Sequence, residues 1–130
     1  MVANSVLILS IAAGGAVGAV LRFLSVELAL HLFGRSLPFG TLLVNIVGSF
    51  LIGLLFIWFQ SRGPHHEILR AALIIGVLGG FTTFSAFSLE TINLALNDQL
   101  VRAALNVLLN VVLCIAAAAI GIKLSKYFLA

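Results

Sequence analysis

Residues Gly79–Ser88 read Gly-Gly-Phe-Thr-Thr-Phe-Ser-Ala-Phe-Ser, in the middle of an uncharged stretch that runs from Ala71 to Leu89. A helix of roughly 20 apolar residues is enough to cross a bilayer, and this stretch has that length. Its centre nevertheless holds a glycine pair, several hydroxyls and three phenylalanines at three-residue spacing. A lipid-facing helix has no use for that combination. Adjacent glycines weaken a helix, and backbone groups freed in hydrocarbon need partners. Irregular backbone at membrane depth persists only against protein or beside a water- or ion-filled path. The decapeptide is therefore expected to be the functional centre, with the third helix broken there.

The rest of the chain agrees with a membrane setting. Of 130 residues, 62% are hydrophobic and 8% charged, against about 25% charged in a soluble domain. Four apolar segments can be counted: Val6–Leu21 continuing past Arg22 to Phe33, then Leu42–Phe59, Ala71–Leu89 and Ala103–Ile122. The breaks between them carry Pro38, Gly63-Pro64 and Asn97-Asp98, which are expected breakers. The expected architecture is an all-α membrane protein. A single transmembrane domain spans residues 1–130, with helices at 4–33, 39–61, 67–96 and 100–127. Reading the first segment as a cleaved signal peptide is disfavoured, because no basic region precedes it. Cys114 is the sole cysteine, so no intrachain disulfide can form.

Seven basic residues spread over four spans make no nucleic-acid patch; their interest is topological. With alternating helices, Arg62, Arg70, Lys123 and Lys126 share one side, while Arg35 and Arg102 lie on the other with Arg22 directed toward it. Four against three is a weak orienting bias. Either the C-terminal lysines set one orientation, or the chain inserts both ways and pairs with its inverted copy. Four helices make a poor pore, and no internal repeat is visible. Any inverted symmetry would come from a second chain, so a dimer is expected.

Several polar residues lie at membrane depth. Asn45 and Ser49 are four apart beside Gly48, and Asn106, Asn110 and Cys114 stand at steps of four on the last segment. Each set shares one helical face. Small and polar residues at such spacing serve helix packing, or they line a narrow path. A buried amide without a partner is costly, which favours a role for Asn45. Arg22 either attracts anions at a vestibule, snorkels, or anchors a neighbouring carbonyl. Glu90, one turn beyond Phe87, is a poor anion ligand and better suited to bracing the site or lining a wet entrance.

Phe81, Phe84 and Phe87 have core packing as their plain reading. Ring edges, however, are electropositive. Together with amide and hydroxyl donors they suit a small anion that must be held only moderately in order to conduct. The break also exposes carbonyl oxygens near Gly79 and Thr82, and carbonyls are ligands for hard cations. Two copies meeting on a two-fold axis would form a four-carbonyl cage for one small cation. No phosphate-binding loop, nucleophile–base pair or carboxylate pair suggests an enzyme.

Three motifs stand in order along the chain: Gly14-Gly15-Ala16-Val17-Gly18-Ala19-Val20-Leu21-Arg22, then Gly40-Thr41-Leu42-Leu43-Val44-Asn45-Ile46-Val47-Gly48-Ser49-Phe50, then Gly79–Ser88. Together they resemble the Fluc (CrcB) fluoride channels, over nearly the whole chain. The resemblance implies an antiparallel, dual-topology homodimer in the bacterial inner membrane. It would conduct fluoride passively out of the cell and so lower cytoplasmic fluoride and its toxicity. It assigns Asn45 as the pore-lining amide, Phe84 and Phe87 as the ring-edge pair, Arg22 as the basic residue near the vestibule and Thr41 as the hydroxyl before the pore asparagine. A structural sodium ion would be held by the carbonyls of Gly79 and Thr82 from both chains. Asn106, Asn110 and Cys114 fall where that family carries hydroxyl-bearing pore residues, a departure in side-chain chemistry, since a thiol is a weaker donor than a hydroxyl. Fluoride and sodium as the specific ions come from the resemblance; the residues alone indicate a small anion and a small cation.

A four-helix antiparallel drug exporter is the competing reading. It requires a carboxylate embedded in the first helix, and none precedes Glu27. A non-conducting accessory subunit, its polar faces used only for assembly, is the plainest alternative.

Overall fold

The computed structural model describes residues 5–129. Helix α1 (Ser5–Phe33) ends at Gly34, and α2 (Phe39–Arg62) ends at Gly63. Both glycines have φ near +70° (73° and 72°), a conformation that costs a side-chain-bearing residue more. After a short 3₁₀ turn at Pro64–His66 comes α3 (residues 67–81), then α4 (Phe84–Leu96) and α5 (Leu100–Leu129). Asp98 turns the chain between α4 and α5 with φ 57°, a region that short polar side chains tolerate.

The expected start of the first helix at residue 4 lies outside the described residues. The second and last helices run slightly past their expected ends, to Arg62 and Leu129. The expected connection between residues 61 and 67 is a tight turn around Gly63-Pro64, and the next helix starts at Glu67 as expected. Among the described residues, four stretches are long and apolar enough to cross a membrane: Ser5–Phe33, Phe39–Arg62, Pro64–Leu96 and Leu100–Leu129.

Consecutive spans run antiparallel, so α1 lies parallel to α3 and α2 parallel to α5, and these two pairs have the most extensive contacts. Glycine makes both pairings possible. A Cβ on Gly14 would collide with the Ala72 carbonyl, one on Gly18 with the Val77 carbonyl, and one on Gly80 with the Gly15 carbonyl. Across the second pair, Gly53 lies against the Ala118 carbonyl and Gly121 against the Phe50 carbonyl. Lipid tails are as apolar as leucine, so membrane helices gain by close backbone approach at small residues. Residues Ala71–Leu78 of α3 are π-helical, a wide winding often found next to functional sites. That wider turn faces α1 through Gly76, whose missing side chain admits Ile11 and Gly14.

Burial inside the monomer is sparse. Val44, Ala29, Phe59 and Phe87 are among the few buried apolar side chains. The buried polar set, Thr41, Thr83, Asn106, Asn110 and Ser125, is of comparable size. The fold is therefore held by backbone contact at glycines and by polar groups between helices, with apolar side chains turned outward.

Gly121→Val tests this directly. Overpacking costs about 1–3 kcal/mol where a core cannot yield, and here the obstacle is backbone. The variant is expected to unfold at clearly lower temperature in detergent. Gly34→Ala, which meets no neighbour within 4 Å, should lose only the cost of its positive φ. Equal unfolding midpoints for the two variants would contradict this account of the pairing.

Candidate functional site

The third span is interrupted at two residues. Gly79 and Gly80 stay helical, and Gly79 has φ −63° and ψ −38°. Thr82 (φ −84°, ψ 159°) and Thr83 (φ −154°, ψ 117°) are extended. The interruption thus falls after the glycine pair expected to cause it. Gly80 serves instead to admit α1, and the cause of the interruption lies on α2.

Asn45 clamps the interruption. Its Oδ1 accepts from the Thr83 backbone N–H at 2.8 Å, and its Nδ2 donates to the Thr83 carbonyl at 3.0 Å. One carboxamide thereby satisfies both backbone groups of the residue that left the helix. Thr83 then caps the restart, since its hydroxyl accepts from the Ala86 N–H at 3.1 Å, the usual role of threonine at an N-cap. In an unbroken helix the Thr83 N–H would donate to the Gly79 carbonyl; diverted to Asn45, it leaves that carbonyl without its helical donor.

The clamp continues into a chain of amides. Asn45 Nδ2 also donates to Asn110 Oδ1 at 3.1 Å. Asn110 Nδ2 donates to both the carbonyl and Oδ1 of Asn106, at 3.0 and 3.1 Å. Asn106 Nδ2 donates to Thr91 Oγ1 at 2.9 Å, and Thr91 donates to the Phe87 carbonyl at 2.7 Å. Polar bonds therefore tie α2 to the α3–α4 gap and α5 to α4 beyond it.

A groove of about 430 Å³ runs along this network, lined among others by Asn45, Ser49, Thr83, Phe84, Phe87, Asn110 and Cys114. Phe84 and Phe87 meet at 5.2 Å between centroids and 61° between planes, which aims the edge of one ring at the other. Phe87 is 7% exposed and Phe84 77%, so the pair has one embedded ring and one largely exposed. Gly79 and Thr82 line the same groove.

The structure gathers most of the residues singled out from the sequence, and distributes the others. Asn45, Phe84, Phe87, Asn110 and Cys114 share the groove with Gly79 and Thr82. Asn106 sits behind it, 2% exposed, as the link between Asn110 and Thr91. Thr41, also 2% exposed, donates to Glu90 Oε1 at 2.6 Å and is not among the groove's lining residues. The other oxygen of that carboxyl, Oε2, is buried without a hydrogen-bond partner among the described residues. Arg22, left open between three uses, reaches the Thr82 carbonyl through Nη1 at 3.4 Å, the carbonyl-anchoring alternative. Phe81, which shares the spacing of the other phenylalanines, lies near Gly48 and outside the groove lining.

Two participants were missed. Thr83 is the clamped and capping residue, and its signal was a hydroxyl just ahead of an apolar helical run. Thr91, one turn from Phe87, had no distinguishing spacing of its own.

The family model described as "CrcB-like protein, Camphor Resistance (CrcB)" matches residues 9–122. The chain belongs to the CrcB family. A relative from Shewanella amazonensis, named fluoride-specific ion channel FluC, is 49% identical over 119 residues, covering 90% of this chain and 94% of its own length. Relatives of the same name from Alteromonas mediterranea and Campylobacter jejuni are 47% and 45% identical, covering 89% and 87% of this chain and 91% and 92% of their own. The matched region includes the two middle apolar stretches whole and most of the first and last, and this CrcB chain is a multi-pass integral membrane protein.

Asn45→Leu is expected to destabilise the CrcB chain, because it strips the Thr83 backbone of both partners in a low-dielectric setting. An orphaned buried group costs about 1–3 kcal/mol. Ser88→Ala, which removes an exposed bond to the Phe84 carbonyl, should cost far less. Thermal unfolding in detergent compares them, and similar midpoints would remove Asn45 from its bracing role.

Proposed function

We propose that this chain is the subunit of a fluoride-selective channel in a bacterial inner membrane, letting fluoride leave the cell passively and so lowering its toxicity. The observation that carries this reading is the groove, where ring edges and committed amides converge on an interrupted helix. The name shared by its relatives supports fluoride as the anion. The chain acts as a conductor and not as an enzyme.

In this reading fluoride moves along the line Asn45, Phe84, Phe87 and Asn110, with Cys114 and Ser49 further along the groove. Phe84 and Phe87 supply weak positive potential from their edges. The carboxamides supply N–H donors that already have oxygen acceptors, so the ion displaces a resident acceptor. Asn106, Thr41 and Arg22 act at one remove. Asn106 orients Asn110, Thr41 holds Glu90, and Arg22 adds positive potential beside the Thr82 carbonyl.

The functional unit would be an antiparallel homodimer. Two features support it: the groove is open along one side, and Phe84 is 77% exposed beside it, a large ring covered in the monomer only where it meets Phe87. A structural sodium ion suits the carbonyls of Gly79 and Thr82. The first has lost its helical donor to the Asn45 clamp, and the second receives only the long Arg22 contact. A carbonyl oxygen has two lone pairs, so Thr82 can serve both groups. Such an ion would supply fixed positive charge and hold the two interruptions together.

Liposomes loaded with fluoride or chloride and read by ion-selective electrodes test the reading. Fluoride loss without chloride loss supports it, and silence for both overturns it. Phe87→Leu keeps apolar bulk but removes the edge, and is expected to slow fluoride loss about three- to tenfold, the equivalent of ~0.7–1.4 kcal/mol. An undiminished rate rules out the ring edge.

Cys114 gives a second check on the route. A small methanethiosulfonate reagent should slow fluoride loss through the natural chain and leave Cys114→Ser unaffected. Equal sensitivity of the two proteins would place the path elsewhere.

A further inference from the structure

The net formal charge of the molecule lies at one end. Arg62, Arg70, Lys123 and Lys126, with Glu67, give +3 there, the whole net charge of the chain. At the other end Arg35 and Arg102 cancel Glu27 and Asp98, and within the spans Arg22 cancels Glu90. At the charged end lies a cavity of about 420 Å³, between the last turn of α2 and the first residues of α3. Phe56 and Phe59 form its apolar wall, and Gln60, His66, Glu67 and Arg70 its polar one. Arg62, which precedes the lining residue Gly63 in the chain, has its guanidinium carbon 4.5 Å from the centroid of Trp58. Trp58 in turn lies 6.0 Å from the ring of His66. Neither Arg62 nor Arg70 has a carboxylate partner among the described residues.

We propose that this cavity binds the headgroup of an anionic glycerophospholipid with a neutral polyol, of the phosphatidylglycerol type. The juxtaposition selects the ligand. A guanidinium fork matches phosphate oxygens, and the Arg70 fork is engaged in no ion pair among the described residues. Stacking on Trp58 restrains Arg62, so it surrenders less freedom when a phosphate arrives. Glu67 on the same wall would repel a second negative charge but accepts hydrogen bonds from glycerol hydroxyls. Arg70 and Glu67 balance within the lining, and the neighbouring Arg62 leaves a surplus of one positive charge around the cavity, which suits a headgroup bearing one negative charge. An acyl chain leaving the headgroup would lie along Phe56, which is 46% exposed. Basic pockets between spans are known binding places for acidic headgroups. The fluoride groove takes no part, so the inference stands whether or not the chain conducts fluoride.

The test is native mass spectrometry of the full chain in detergent, titrated with phosphatidylglycerol, phosphatidylethanolamine or phosphatidylcholine of equal chain length. Phosphatidylglycerol should form adducts at the lowest concentration. Arg70→Gln should weaken that binding about fivefold, the worth of one basic residue at an acidic surface. Arg35→Gln, at the charge-balanced end, should leave it unchanged. Inorganic phosphate in excess should fail to displace the lipid, since it lacks the acyl chain. The proposal is overturned by equal uptake of all three lipids, by a preference for phosphatidylethanolamine, by displacement with phosphate, or by equal weakening from Arg35→Gln and Arg70→Gln. Should Arg70→Gln not fold, Arg70→Lys keeps the charge without the fork, and unchanged binding to it overturns the bidentate contact.

Discussion

Unpaired backbone groups are costly in hydrocarbon, and this constraint gives the bond between Asn45 and Thr83 its weight. Each orphaned N–H or C=O in the bilayer core costs several kcal/mol. Extending the chain at Thr82 and Thr83 removes the Thr83 N–H from its helical acceptor, so the interruption exists only where a substitute is at hand. A carboxamide is the side chain best suited to this, presenting an acceptor and a donor side by side as a peptide group does. Asn45 supplies both, at 2.8 and 3.0 Å. Where α2 puts that amide decides where α3 stops, which carbonyls lose their donors, and how the rings of Phe84 and Phe87 are directed.

The amide can be placed with that accuracy because the scaffold around it is held by backbone contact. Gly53 and Gly121 bring α2 and α5 together until main-chain atoms touch, and Gly14, Gly18 and Gly80 do the same for α1 and α3. Such interfaces leave little room for sliding, since the neighbouring carbonyl blocks even a methyl group. Gly48 extends the principle to the site itself: a Cβ there would run into the Thr82 methyl group. The glycine next to the interruption and the asparagine that clamps it therefore belong to the same helix, three residues apart.

Much of this was legible in the sequence, and the rest was hidden for identifiable reasons. Four apolar lengths punctuated by Pro38, Gly63-Pro64 and Asn97-Asp98 announce four long helices, since length and breakers are local properties. The polar stripe of Asn106, Asn110 and Cys114 follows from helical spacing alone. The position of the interruption does not. Local propensity points to Gly79-Gly80, but those residues remain helical, with α1 packed against Gly80. The interruption moves to Thr82 and Thr83 because a side chain 38 residues away captures one N–H. A long-range bond of that kind leaves no trace in periodicity. The same limit hid the partnership of Thr41 with Glu90 and the π-helical winding of Ala71–Leu78. Both arise from how neighbouring helices meet.

The proposed conduction follows from the same saturation of polar groups. Both N–H donors of Asn45 and both of Asn110 already have oxygen acceptors. An anion entering the groove cannot simply add hydrogen bonds. It must exchange for a carbonyl or amide oxygen that recovers the donor once the ion moves on. The net gain at each step is a difference between two comparable bonds, about 1 kcal/mol rather than the 4–6 kcal/mol of a bond made from nothing. A site built in this way binds weakly at every point along its length. That is the condition for passage, because a path lined by free donors or by an unpaired lysine would hold the ion in place. The ring edges of Phe84 and Phe87 fit the scheme, since they offer attraction without a formal charge that would need neutralising in the membrane. The bonds that repair the interrupted helix are thus the ones that keep the proposed ion path shallow.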